Sequence, residues 1–206
     1  MSEFIDDLLL IGDGKEYPYI CGVDEAGRGP LCGPVAAAAV IMPKGSIIEG
    51  VDDSKKLTEK KREALYEEIV RQAISYHVCL IDNREIDRIN ILNATLQAME
   101  NAINGLSVKA DFALIDGNQN RGITTPNRTV VKGDSKSYSI ACASILAKVT
   151  RDRLMEQYDK QYPQYGFSQH KGYGTKAHYE AITVYGVTSI HRITFLKNFL
   201  EKPDGK

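Results

Sequence analysis

Tyr19-Ile-Cys-Gly-Val-Asp-Glu-Ala-Gly-Arg-Gly-Pro-Leu-Cys-Gly-Pro-Val-Ala-Ala-Ala-Ala-Val-Ile41 is the stretch that decides the fold. Residues 19–23 read as a strand that ends at Asp24. Residues 35–41 are apolar without a break and bracketed by Gly33-Pro34 and Pro43. A run of that length between breakers reads as a strand buried on both faces. The glycines between the two runs allow a tight link, so the strands are expected to pair as a hairpin.

Further strands are expected over 76–81, 112–115 and 129–131. Thr58 is placed to cap a helix over 59–73, on which Leu65, Ile69 and Ala73 share a face. A second helix is expected over 92–104, with Gly105 as its stop. A long helix over 137–158 is small or apolar almost all round in its first half, so it belongs in the interior. Residues 175–185 and 191–201 are further helical candidates. Mixed strands and helices followed by helices describe an α/β sheet with a helical C-terminal region.

The 206 residues suit one domain, and 43% hydrophobic with 26% charged residues excludes disordered, collagen-like and coiled-coil classes. The longest apolar run, Val35 to Met42, is too short to span a bilayer. The acidic start, with Glu3, Asp6 and Asp7, does not read as a secretory signal, so the expected compartment is the cytoplasm. Cys21, Cys32, Cys79 and Cys142 form no C-x-x-C pair and read as reduced thiols. The net charge is −1 overall, but from Lys160 onward seven Lys or Arg face three Asp or Glu. That asymmetry permits a basic surface beside an acidic site.

Three of the expected strands run into acids: Asp24-Glu25, Asp116 and, after a short turn, Asp134. An Asp after a strand commonly serves a turn. Gathered at one sheet edge, however, four carboxylates would repel one another unless divalent cations offset their charge. Mg2+ suits such oxygen ligands, and a pair of ions supports phosphodiester hydrolysis. Gly27-Arg28-Gly29-Pro30 follows Asp24-Glu25 directly. Glycines there serve a turn and also let backbone N–H groups approach a ligand closely. No Walker A pattern and no G-x-G-x-x-G after a strand is present, so no nucleotide cofactor is expected.

Gly22-Val-Asp-Glu-Ala-Gly-Arg-Gly-Pro30 resembles the opening motif of the ribonuclease HII family. Asp53-Ser-Lys-Lys-Leu-Thr58, Ile115-Asp-Gly117 and Lys132-Gly-Asp134 resemble its next three motifs in order. Ile140-Ala-Cys-Ala-Ser-Ile-Leu-Ala-Lys-Val-Thr-Arg-Asp152 continues the fourth, and His170-Lys-Gly-Tyr-Gly-Thr-Lys-Ala-His178 resembles the bacterial C-terminal motif. The resemblance spans about Tyr19 to Phe199. It implies an RNase H-like mixed five-stranded sheet flanked by helices, with a helical C-terminal region. Residues 1–18 are then an N-terminal extension and 19–206 a single catalytic domain.

The resemblance further implies cleavage of the RNA strand of RNA–DNA hybrids. It implies incision 5′ to single ribonucleotides in duplex DNA, leaving 3′-OH and 5′-phosphate ends. The family's four acids carry over onto Asp24, Glu25, Asp116 and Asp134, expected to hold Mg2+ or Mn2+. The backbone of Gly27, Arg28 and Gly29 takes the role of reading the 2′-OH that distinguishes RNA from DNA. Tyr173 would pack on the sugar beside the ribonucleotide, although Gly172 and Gly174 also suit a plain loop tyrosine. Lys55 and Lys56 suit phosphate oxygens or a solvated surface. Ser144 and Lys148 share a helix face, where contact with the DNA strand and packing are both open. Asp52 and Asp53 are expected to shape the turn and cap. His170, His178 and His191 have no cysteine near them in sequence, so phosphate or backbone contacts are expected rather than zinc.

Two other functions compete. One is another RNase H-like metal-dependent nuclease acting on DNA, which the ribose-reading segment disfavours. The other is a catalytically silent hybrid-binding module, which a complete acid set disfavours. The related ribonuclease HIII carries an added N-terminal substrate-binding domain, for which the 18 residues before Tyr19 are too few. A monomer without membrane attachment is the expected state.

Overall fold

The computed structural model describes residues 4–201. The polar tail 203–206, expected to fray, lies outside the described residues. Five strands form one sheet: β1 (Ile20–Ala26), β2 (Val35–Ile41), β3 (Ser75–Ile81), β4 (Phe112–Asp116) and β5 (Asn127–Val130). Their order is β3-β2-β1-β4-β5. The hairpin expected from the opening stretch is present: β1 pairs antiparallel with β2, and β2 with β3. β1, β4 and β5 run parallel. The fold is the expected mixed five-stranded sheet flanked by helices.

The helices are α1 (Asp7–Ile11), α2 (Glu59–Gln72), α3 (Asn83–Ile89), α4 (Ile91–Asn104), α5 (Tyr138–Gln161), α6 (Phe167–His170), α7 (Lys176–Tyr185) and α8 (Ile193–Leu200). Thr58 caps α2 as expected, its side chain accepting the Lys61 N–H. Thr175 caps α7 in the same way through His178. None of the described helices is long and apolar enough to cross a membrane. Three short helices, α1, α3 and α6, fall where no element was expected. Each is under two turns or nearly so, which leaves little periodicity to read.

β2 is buried along its whole length. Its alternation divides the core: Val35, Ala37, Ala39 and Ile41 face α4, whereas Ala38 and Val40 face α5 and α2. Alanine at four successive positions lets helices lie close on both sides. Closer still is Gly22 on β1. A Cβ there would lie 2.0 Å from the Ser139 carbonyl carbon, so the first turn of α5 rests directly on the strand backbone. The segment before Tyr19 is packed as well. Ile11 joins Phe112, Leu114, Val130 and Ile140 in one cluster, and Asp7 accepts a hydrogen bond from the Ser137 hydroxyl at 2.6 Å. All four cysteines are free thiols, three of them buried.

Candidate active site

The expected end of β1 at Asp24 holds on one side only. Toward β4 the pairing stops at Val23 opposite Ile115, so Asp24 and Asp116 leave adjacent parallel strands together. Toward β2 the strand runs on, with Glu25 opposite Ala37 and Ala26 opposite Ala36. The hairpin partner supplies ladder bonds that a parallel neighbour no longer offers, which is why β1 is longer than the sequence suggested. Asp134 arrives from a single 3-10 turn, Gly133–Ser135, directly after β5. The Gly133 N–H donates to Asp116 Oδ1 at 2.6 Å and ties that turn to the end of β4.

Carboxylate oxygens of Asp24, Glu25 and Asp116 lie within 4.8 Å of one another. Asp24 is only 4% exposed. Burial pushes its carboxyl well above the usual carboxylate range, and repulsion from Glu25 and Asp116 adds to the effect. Burial also raises Glu25, against the pull of Arg28, whose Nη1 lies 3.3 Å from Glu25 Oε1. Asp116 is raised by burial and by Asp134, partly offset by the Gly133 N–H. Asp134 stands outside the tight group and pairs with Lys55 Nζ at 3.3 Å. Among the described residues no cation forms an ion pair with Asp24 or Asp116. Asp24 and Asp116, hard oxygen donors that crowd together with no ion pair of their own among the described residues, fit a hard divalent cation.

The other expected site residues divide. Gly27, Arg28 and Gly29 follow directly on β1, and Gly27 takes φ +93, a conformation that favours glycine. The Tyr173 ring lies 3.4 Å from where a Gly29 Cβ would stand, so the loop and the tyrosine meet although 144 residues apart in sequence. Tyr173 is 47% exposed. Lys55 reaches the acids, whereas Lys56 pairs with Asp52 at 3.0 Å on the surface. Asp53 caps the Ser54–Lys56 turn through the Lys55 N–H. Ser144 is buried, and its hydroxyl donates to the Ala141 carbonyl at 2.9 Å. Lys148 is engaged by Asp152 at 2.7 Å. Neither bonds to the four acids, and both sit in packing and ion-pair positions along α5.

The histidines make backbone contacts, as expected, but a cysteine does stand beside them in space. Cys32, His178 and His191 place ligand atoms within 4.8 Å of one another. His191 Nδ1 accepts the Thr188 N–H at 2.8 Å, so its proton sits on Nε2. That N–H points at His178 Nε2, 3.1 Å away, and His178 Nδ1 then donates to the Tyr173 carbonyl at 2.9 Å. The chain of donors is complete with both rings neutral, which describes a brace for the Tyr173 backbone rather than a metal site. Burial lowers the pKa of both rings, that of His191 to about 4. A histidine held below its unfolded value stabilises the fold above pH ~6.5 and loses that contribution as the pH falls toward 4. Stability, and with it the melting temperature, is therefore expected to drop over that window, by roughly 3 kcal/mol from His191 alone. A pH series of melts on wild type and His191→Gln checks it, the variant giving the shallower acid slope; equal slopes would refute the account.

Two side chains at the site were not singled out in the sequence: Arg151 and Arg192, each at most 1% exposed and both hydrogen-bonded to the loop after β1. The available signal for Arg151 is its helical spacing, eleven residues after Ile140 and four after Ala147, which puts it on a face shared with buried apolar residues. No such pattern marks Arg192.

Comparison with known proteins places this geometry. A family model described as "Ribonuclease HII" matches residues 21–198. Ribonuclease HII of Caldicellulosiruptor saccharolyticus is 60% identical over 198 residues, covering 96% of this chain and 95% of that one. Among solved structures, ribonuclease H2 from Pyrococcus horikoshii superposes with TM-score 0.73 at 28% identity, covering 89% of this chain and 100% of that chain. Bst-RNase HIII, solved in complex with Mn2+, shares the fold at TM-score 0.66 and 19% identity, covering 86% of this chain and 67% of that one.

Proposed function

Because the chain belongs to the ribonuclease HII family and is a hydrolytic ribonuclease H, we propose that it cuts RNA–DNA hybrids and incises duplex DNA 5′ to a single embedded ribonucleotide. The observation that carries the reading is the meeting of an acid cluster with a glycine loop and an exposed tyrosine at one sheet edge.

Asp24, Glu25, Asp116 and Asp134 would hold Mg2+ or Mn2+. The chemistry such ions supply when bound is activation of the attacking water and stabilisation of the leaving 3′-oxygen. The relative that carries Mn2+ is in keeping with this. Asp24, held within β1, and Asp116, at the end of β4, would supply ligands fixed by the sheet. The 27–29 segment presents backbone groups to the 2′-OH, which is both donor and acceptor. Tyr173 packs on the neighbouring sugar beside Gly29, and Arg28 and Lys55 are near enough to the acids to meet the flanking phosphates. The ends left are a 3′-OH and a 5′-phosphate. The chain is read as a monomer acting in the cytoplasm.

The test is a labelled duplex containing one ribonucleotide beside an all-DNA duplex, each in Mg2+ and in Mn2+. Cutting only the first, on the 5′ side, is expected. Equal cutting of both would replace the reading with a general nuclease, and binding without cutting in either metal would leave a hybrid-binding module. Tyr173→Ala is expected to lower kcat/KM on the single-ribonucleotide duplex by ~10-fold or more, the scale of one lost stacking contact. Activity on a continuous hybrid should fall less, and an unchanged ratio between the two substrates would remove Tyr173 from junction reading.

A further inference from the structure

Arg192 and Arg151 lie behind the loop that follows β1, and their guanidinium groups are among the most deeply buried charges in the protein. Neither forms an ion pair among the described residues; Asp152, beside Arg151, pairs with Lys148 instead. A buried charge without a counter-ion persists only where hydrogen bonds replace its hydration. Here backbone carbonyls do so. Arg192 donates to Gly27 at 2.6 Å, to Arg28 at 3.0 Å, to Pro30 at 2.9 Å and to Gly33 at 3.0 Å. Arg151 donates to Pro34 at 3.0 Å, to Cys32 at 3.1 Å and to Lys171 at 3.0 Å. The fit is close, because a Cβ on Gly27 would stand 2.0 Å from Arg151 Nε.

The direction of those carbonyls matters. In a planar trans peptide the C=O and the following N–H point in opposite directions. With the Gly27 and Arg28 carbonyls drawn inward to Arg192, the N–H groups of Arg28 and Gly29 are turned outward. Neither of these N–H groups meets an acceptor among the described residues. The next carbonyl held, that of Pro30, sends the Leu31 N–H to the Gly172 carbonyl at 2.8 Å. Arg151 grips Lys171 at the same time, so the segment carrying Tyr173 is set in the same frame as the loop.

We propose that Arg192, assisted by Arg151, is a positioning residue for ribose discrimination: it fixes the loop peptides so that the Arg28 and Gly29 N–H groups face the 2′-hydroxyl. This rests on the loop reading given above. Lysine in place of Arg192 keeps the charge but offers one nitrogen where four carbonyls need two separated edges of a fork. The carbonyls left over would turn to solvent and take the outward N–H groups with them.

The experiment measures Kd for a duplex with one ribonucleotide and for the matching all-DNA duplex. Both are measured without divalent metal, so that no turnover intervenes. For Arg192→Lys the ratio of the two is expected to shrink at least 10-fold from the wild-type ratio, with the all-DNA Kd changed less than threefold. Equal weakening of both duplexes, with the ratio kept, would mean that Arg192 only supports the fold and would overturn the proposal. Should the variant fail to melt cooperatively, amide hydrogen exchange on wild type decides. Slowed exchange at Arg28 and Gly29 with the ribonucleotide duplex and not with all-DNA supports the proposal, and identical exchange overturns it. A wild-type Kd ratio of one would instead overturn the loop reading itself and the positioning role with it.

Discussion

Asp24→Asn is expected to cut the rate on a ribonucleotide-containing duplex by ~10³-fold or more, a barrier increase of about 4 kcal/mol, while making the metal-free protein more heat-stable. Both effects come from one buried charge. Asp24 is wrapped by the sheet and crowded by Glu25 and Asp116, so ionising it in the folded state is costly. Asparagine keeps the shape and can still accept the Glu25 N–H that Asp24 Oδ1 takes at 2.7 Å. It removes the repulsion and with it a ligand for the cation. The sign with pH follows from the raised carboxyl. A carboxyl held above its unfolded value disfavours folding once the unfolded group ionises, so the penalty grows as the pH rises above ~4. The stability gain of the variant should accordingly be larger at pH 7 than at pH 4. Added Mg2+ or Mn2+ should raise the wild-type melting temperature and move that of the variant much less. Melts with and without metal, beside a cleavage assay, check this; a variant that retains a tenth of the activity, or melts lower than wild type without metal, would refute it.

Gly22→Ala is the second large effect, and it lies on the fold. The added methyl would stand 2.0 Å from the Ser139 carbonyl carbon and 2.3 Å from the Ile140 nitrogen. These are backbone atoms of the first turn of α5, so no rotamer change relieves the contact. The helix must lift from β1 or the strand must bend, at about 3–5 kcal/mol. For a domain of this size that is roughly a 10 °C fall in melting temperature. Activity should fall with it, because β1 carries Asp24 two residues on and α5 starts just after the turn that carries Asp134. Gly14→Ala is the control: its positive φ strains an alanine, but a Cβ there meets nothing within 4 Å, so a loss near 1 kcal/mol is expected. Equal losses at the two sites would show that the strand–helix approach is not as tight as described.

Much of this was legible beforehand, for a local reason. The apolar run of β2 between Gly-Pro and Pro, the small-residue first half of α5 and the Thr58 cap are patterns carried by neighbouring residues, and each formed where expected. The four acids were legible as residue types following strands. Less legible was anything that depends on which elements become neighbours. β1 runs past Asp24 because β2 lies beside it, and Cys32 stands next to His178 and His191 because the loop after β1 folds against the C-terminal helices. Ser144 was readable as a polar residue on a helix face, but which neighbour that face meets was not.

The chain by itself therefore determined the kind of chemistry: the carboxylates, the glycine loop that can approach a ligand, and the strand and helix runs that carry them. Residue identity and short-range periodicity are properties of the chain before it folds. Only the tertiary structure decided the company those residues keep. It set Asp116 beside Asp24 through parallel pairing, brought Tyr173 against Gly29, and left Lys55 on Asp134. It also buried two arginines behind the loop, with no ion pair among the described residues, where backbone carbonyls of the loop and of Lys171 replace lost water. Burial and long-range pairing arise from packing, and no window of sequence contains them.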